Sequence, residues 1–206
     1  MSTSVITVAT HEEGLFNELI NNKEGIKIKV LGFGNKWKGF KTKIKLVYDY
    51  VKDLPKNHIV IFLDGFDCLI NGSLKDAVKF FKNSKKKVLF SKDVGLYGGF
   101  KKLVFPYCKK DIIICTGMYM GYAKYLKILL KEVLSHKCED DQVVVNKLCK
   151  KFNFIDVDVN EDIFKVIHST ENFEDEIKKY KSIFYTKPGT IYSKRLIRAF
   201  IEYSQF

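Results

Sequence analysis

Two pairs of carboxylates stand out in this chain by type and spacing. Asp64 and Asp67 lie three residues apart in F-L-D-G-F-D, at the end of the apolar run I-V-I-F-L. Oxygen ligands set across a turn opened by Gly65 can face one hard cation such as Mg²⁺ or Mn²⁺. The same residues also suit an Asx-type turn after a core strand, and this stretch alone leaves both readings open. The second pair, Asp140 and Asp141 in E-D-D-Q, stands where a helix would begin. Carboxylates there complement the positive helix end, so a purely structural role is equally available to them. Trp37, the one tryptophan, lies between two lysines in a loop, where a ring serves either to stack on a flat base or to pack a satellite cluster.

Alternating apolar stretches of two kinds position these residues. Residues 5–10 and 26–31 read as strands, with a helical face at Leu15, Phe16, Leu19 and Ile20 between them. Residues 41–54 place Ile44, Val47, Val51 and Leu54 at helical spacing, and Pro55 stops that helix. Residues 59–63 are bulky and apolar without a break, which predicts a buried strand of a parallel sheet that empties its carboxyl end into the D-G-F-D loop. Ser73 and Asp76 form a capping box for a helix to about Lys82, and residues 88–90 a short strand. Residues 91–102 read as a mobile loop. A strand over 111–115 follows, then T-G-M-Y-M-G, a helix with an inward stripe of Tyr125, Leu126, Leu129, Leu130 and Val133, and a helix opened by E-D-D-Q that runs to about Phe152. Residues 155–158 and 163–168 are short strand candidates, 173–180 a helix, 183–186 a stretch that leads into Pro188-Gly189, and 192–203 a closing amphipathic helix. The pattern is α/β, and 206 residues without a linker or repeat suggest one domain over 1–206.

Composition narrows the function. The formal charge is +12, yet all but two of the 36 basic residues are lysine, Arg195 and Arg198 being the exceptions. Reading of DNA sequence leans on bidentate arginine, so the surplus fits a solvated surface and phosphate-bearing ligands better than nucleic acid, which is not expected as a partner. No apolar run approaches a membrane span, and residues 1–10 lack the features of a signal peptide. A cytoplasmic location is therefore expected, with the five cysteines reduced, because their odd number and spacing suggest neither zinc nor a disulfide framework.

Four stretches in order, T-V-A-T at 7–10, L-G-F-G-N-K-W-K-G at 31–39, F-L-D-G-F-D at 62–67 and E-D-D-Q at 139–142, resemble the glycosyltransferase domain of the procollagen lysyl hydroxylases and its free-standing relatives in giant viruses. The resemblance implies a GT-A fold, a Rossmann-like sheet that binds a UDP-sugar with Mn²⁺ or Mg²⁺ clamped between the diphosphate and Asp64 and Asp67. It implies Val8, Thr10, Trp37 and Phe66 at the uridine, Lys43 near the donor, and Asp140 and Asp141 at the sugar and acceptor side as catalytic residues. It further implies transfer of glucose or galactose from UDP-glucose or UDP-galactose to a collagen-like acceptor. The chain departs from the family at Cys115-Thr116-Gly117, where N-S-G is usual, at Tyr97 in place of a loop tryptophan, and at Thr186-Lys187-Pro188-Gly189, where H-G-N-G carries the third metal ligand. Water, or His168, is then expected to complete the metal's shell, with Lys187 or Lys194 adding positive charge. Nucleotidyl transfer, or binding of a nucleotide without turnover, are the rival functions.

Overall fold

The computed structural model describes residues 2–93, 106–109, 111–167 and 172–188. The expected 192–203 helix, the loop beyond Asp93, His168, Tyr97 and Lys194 lie outside them. A six-stranded sheet carries the fold, in the order β2-β1-β3-β6-β5-β7. Its strands are β1 (Thr3–Val8), β2 (Ile28–Leu31), β3 (Ile59–Asp64), β5 (Val88–Lys92), β6 (Ile114–Tyr122) and β7 (Ile155–Val157). A smaller sheet joins β4 (Cys68–Ile70), β9 (Phe184–Thr186) and β8 (Phe164–Val166) in that order. The helices are α1 (Phe16–Ile20), α2 (Phe40–Val51), α3 (Leu74–Asn83), α4 (Ala123–Ser135), α5 (Asp141–Lys151) and α6 (Phe173–Lys179). This is the α/β, Rossmann-like arrangement expected from the sequence.

Strand β3 is the centre of the sheet, and Ile59, Val60, Ile61, Phe62 and Leu63 are all fully buried. Period two splits them between two cores. Val60 and Phe62 face Ile44, Val47, Leu126 and Val143 on the side of α2, α4 and α5, while Ile59, Ile61 and Leu63 face Leu19, Ala77 and Phe81 on the side of α1 and α3. β3 pairs in parallel with β1 on one edge and antiparallel with β6 on the other. The expectation of a wholly parallel environment is therefore corrected: β6 alone runs against the main direction, since β1 pairs in parallel with β2, and β5 in parallel with β7.

Two element boundaries also differ from expectation. The strand expected over 111–115 is instead the nine-residue β6, which absorbs T-G-M-Y-M-G. Its two glycines hide the strand in the sequence, and both sit where a backbone or side chain comes close: a Cβ on Gly121 would stand 3.0 Å from the Lys87 carbonyl oxygen. The first helix shrinks to the five residues of α1, which lacks a side-chain cap. Ser73, by contrast, caps α3 as predicted, its hydroxyl accepting the Asp76 N–H at 3.1 Å.

The cysteine expectation holds only in part. Cys108 and Cys149 are joined in a disulfide, with Cα atoms 5.1 Å apart, whereas Cys68, Cys115 and Cys138 are buried free thiols. Sequence spacing gave no hint because the two partners are 41 residues apart and meet only when the segment before β6 lies along α5. A closed loop of that length contributes roughly 2–4 kcal/mol by restricting the unfolded chain. Among the described residues no helix is long and apolar enough to cross a membrane.

At the amino end of the sheet His58 ties the first strand to the third. Its Nδ1 lies 2.7 Å from the Ser2 hydroxyl and its Nε2 2.7 Å from that of Ser4, which also accepts from the Tyr50 hydroxyl at 2.9 Å. Burial holds the imidazole below its ordinary pKa of 6.5. The unfolded chain therefore takes up a proton first as pH falls, and folding stability is full above that pH and declines below it. The urea midpoint should fall between pH 7.5 and 5.5, and His58→Gln should flatten that slope while lowering the midpoint at pH 7.5.

Candidate functional site

The carboxyl ends of β1 and β3 finish side by side, with Val8 in register with Asp64. The D-G-F-D turn then folds back over β1. Only glycine fits at Gly65, because a Cβ would stand 2.8 Å from the Val8 carbonyl oxygen and 3.0 Å from the Ala9 Cβ. Phe66 lies against the loop after β1, its ring centroid 5.2 Å from that of His11. Val8 and Thr10 are buried at the same edge, and the Thr10 carbonyl accepts the Gly34 N–H at 2.9 Å, which draws the L-G-F-G loop alongside. From that loop Trp37 stands 44% exposed, touching Phe40 edge-on at 6.2 Å, so its ring is a surface feature and the core-packing alternative is set aside.

Lys43 joins the two carboxylate pairs. Its Nζ lies 2.8 Å from Asp141 Oδ2 and 3.5 Å from Asp64 Oδ1. The side chains of Lys43 and Asp141 are 5% and 1% exposed and that of Asp64 30%, so the lysine reaches from α2 through the interior to the open end of β3. The ring of Phe62 lies 5.7 Å from the ammonium and that of Phe40 5.6 Å, which adds aromatic faces to its surroundings. Lys41 and Lys45 instead pair at the surface with Glu139 and Asp49. The sequence carries a signal for this difference: Lys43 precedes Val47 by four residues and follows Phe40 by three, so it falls on the inward stripe of α2.

The members of the E-D-D-Q pair are not equivalent. Asp140 is the cap of α5, its Oδ1 accepting the N–H groups of Gln142 at 2.9 Å and Val143 at 3.2 Å. Asp141, one residue on, turns inward to Lys43. Two further residues, which sequence reasoning missed, fix this helix. Gln142 donates from Nε2 to Asp93 at 2.8 Å, and Asn146 holds Ile114 of β6 by bonds to its N–H and carbonyl at 2.8 and 3.2 Å.

Asp67 is seated beside the second sheet. Thr186 donates its hydroxyl to Asp67 Oδ1 at 3.2 Å, and Lys187 donates its backbone N–H to the Asp67 carbonyl at 2.9 Å. Burial, and next the charge of Asp64, push the Asp67 carboxyl up to about 7, against the pull of the Thr186 hydroxyl and Lys43. The two aspartates thus repel each other across the turn, which a hard divalent cation would relieve; as donors and as charges they fit such an ion. Among the described residues no cluster of three or more His, Cys, Asp or Glu side chains could hold a metal. Thr186, in the place of the family's histidine, is fully buried and spends its hydroxyl on Asp67. On the other side Gly117 gives Asp64 room, since a Cβ there would stand 3.2 Å from Asp64 Oδ2. A separate groove, lined by Asn71, Ser73, Lys79, Phe80 and Ser182, contains none of the expected site residues.

Removing the lysine should leave a buried carboxylate without its cation. Lys43→Met should therefore cost roughly 3–5 kcal/mol of folding stability, and adding Asp141→Leu to it should restore a large part, as denaturant unfolding of the three variants would show.

Comparison with known proteins follows the same residues. The family model described as the PLOD GT domain matches residues 1–192. The chain is similar to the mouse procollagen-lysine,2-oxoglutarate 5-dioxygenase 2, with 26% identity over 207 residues that cover 88% of this chain and 28% of that protein. It is similar also to the multifunctional procollagen lysine hydroxylase and glycosyltransferase of Caenorhabditis elegans, with 24% identity over 240 residues, 97% of this chain and 31% of that protein. The Drosophila melanogaster procollagen-lysine,2-oxoglutarate 5-dioxygenase matches at 26% over 189 residues. The chain thus spans less than a third of the length of the two first-named relatives. With the expected GT-A-like sheet in place and the four motifs gathered at its carboxyl edge, the chain belongs to the PLOD GT domain family.

Proposed function

We propose that this chain is a metal-dependent hexosyltransferase that moves glucose or galactose from a UDP-sugar to a hydroxyl of a collagen-like acceptor, hydroxylysine or galactosyl-hydroxylysine. The observation that supports it best is the buried ammonium of Lys43 set between Asp64 and Asp141, because it couples the diphosphate side of the site to the sugar side. Val8, Thr10, Trp37 and Phe66 form the uridine end, where the exposed indole offers a stacking face. Asp64 and Asp67 would hold Mn²⁺ or Mg²⁺, which would neutralise charge on the departing UDP. Thr186 holds the Asp67 carboxylate by its hydroxyl, and Lys187 beside it would supply further positive charge, a part we assign also to Lys194.

Departure of UDP builds negative charge, and Lys43 is fixed where that charge grows without needing to reorganise. Asp141 keeps the ammonium in place, and its own negative charge favours the positive character that develops on the sugar. Asp140, engaged in capping, presents that first turn to the acceptor. A buried carboxylate paired with lysine is poorly suited to serve as an in-line base, which agrees with transfer that retains the donor's configuration.

Thr186, where the resemblance leads one to expect a histidine, favours as a second reading a module that binds the nucleotide without turnover. Incubation with Mn²⁺ and a set of UDP-sugars separates the two. Free UDP should appear with UDP-glucose or UDP-galactose and a collagen-like peptide; release of the sugar 1-phosphate in its place would indicate nucleotidyl transfer, and no release the binding module. Asp64→Asn should lower UDP release by roughly 100-fold or more with the fold retained, since an amide is a poor substitute for a charged ligand. Trp37→Ala should weaken UDP by about 1–3 kcal/mol in a calorimetric titration, if base stacking here resembles that in single-strand binders.

A further inference from the structure

The hydroxyl of Tyr119 is buried and has no hydrogen-bond partner among the described residues, in a residue that is only 3% exposed. Its ring explains its place but not its oxygen. On β6 it lies in register with Phe62 of β3 and Phe90 of β5, with ring centroids 4.8 and 5.0 Å away. A phenylalanine would make those stacks equally well. A phenol left dry in such a core loses its bonds to water and gains nothing, so the oxygen calls for a partner. Polar groups stand close by on the same face of the sheet. Lys43 lies over Phe62, the ring that Tyr119 stacks on, and Asp141 pairs with Lys43. Asp141 and Asp64 are also the charged groups whose fields act on the phenol, which burial keeps firmly protonated and therefore a donor. A buried water needs two to four polar partners, and the phenol, the Asp141 carboxylate and the Lys43 ammonium are the polar groups this corner holds.

We propose that Tyr119 is a positioning residue of the site: its hydroxyl donates, through internal water, to the Asp141 carboxylate and holds it for Lys43. This rests on the transferase reading above and adds a residue to it. The phenol approaches the pair from the strand side while Lys43 approaches from α2. Asp141 then keeps its orientation when the ammonium answers to the charge of a leaving diphosphate. Tyr119 does not touch the substrate; it acts through Asp141.

A stability cycle and a kinetic comparison test this with the protein as it stands. Tyr119→Phe removes one oxygen and retains the ring. If the hydroxyl is bonded, the thermal midpoint should drop by about 2–4 °C in the wild-type background. In the Asp141→Asn background the same change should shift it by less than about 1 °C, because the carboxylate it serves is gone. UDP release by Tyr119→Phe should show kcat reduced roughly tenfold with KM for the UDP-sugar unchanged. A midpoint that stays or rises in Tyr119→Phe marks a dry hydroxyl and overturns the proposal. So does an equal drop in both backgrounds, or full kcat in the variant. The cycle requires no sugar donor: silence of the wild-type protein in the UDP assay sinks the transferase reading, while the two midpoints still decide whether Tyr119 and Asp141 are coupled.

Discussion

One lysine inside the protein sets the terms for the rest of the site. Carrying an ammonium into an interior as apolar as that between α2 and the sheet is costly, and only good pairing sustains it. Asp141 at 2.8 Å and Asp64 at 3.5 Å provide that pairing. The requirement fixes three elements relative to one another: α2, which carries the lysine, the end of β3, and the first turn of α5. Asp140 caps that turn and Asn146 fastens it to β6, so the backbone around Asp141 has little freedom to follow a moving partner. The interior charge and the helix start are thus parts of one arrangement.

Space at this arrangement is set by side chains that are missing. At Gly65 the turn after β3 lies on the backbone of β1, and at Gly117 strand β6 passes Asp64 so closely that a methyl group would press its carboxylate at 3.2 Å. The family resemblance includes the glycine of N-S-G, and here the same glycine follows Cys115 and Thr116, both buried. Neither offers a side-chain amide, and beside Asp64 the structure shows the Lys43 ammonium as a polar partner. Thr186, at the place where the resemblance leads one to expect a histidine, donates its hydroxyl to a carboxylate.

Much of this was legible in the residues, and what was not has physical reasons. The apolar run of β3, the capping box at Ser73 and the stripes of α2 and α4 each follow one period, and all formed close to where periodicity put them. Strand β6 was cut short in the reading because glycines at 117 and 121 look like loop residues, although both mark close packing within a sheet. Its antiparallel direction is a property of the whole sheet and leaves no trace in nine residues. For the site, D-x-x-D and E-D-D-Q pointed to the correct ends of two elements, but adjacent aspartates look alike in a sequence. Their division of labour, Asp140 to the cap and Asp141 to the lysine, depends on the direction each side chain leaves the helix start. Tyr119 was invisible for a similar reason, since its ring satisfies the pattern of a core strand.

The disulfide between Cys108 and Cys149 closes a ring that contains all of β6 and α4 and most of α5. That ring holds the one strand whose direction opposes the sheet and, at Asp141, the acid that faces Lys43. Once closed, it makes contacts between β6 and α5 local along the covalent path, where otherwise the chain must search across the whole α4 connection to find them. A chain whose thiols stay reduced must place β6 between β3 and β5 by that longer search. The order of bond formation and strand insertion is thereby a matter of the surroundings in which the chain folds, written into two cysteines that lie outside every motif of the active end.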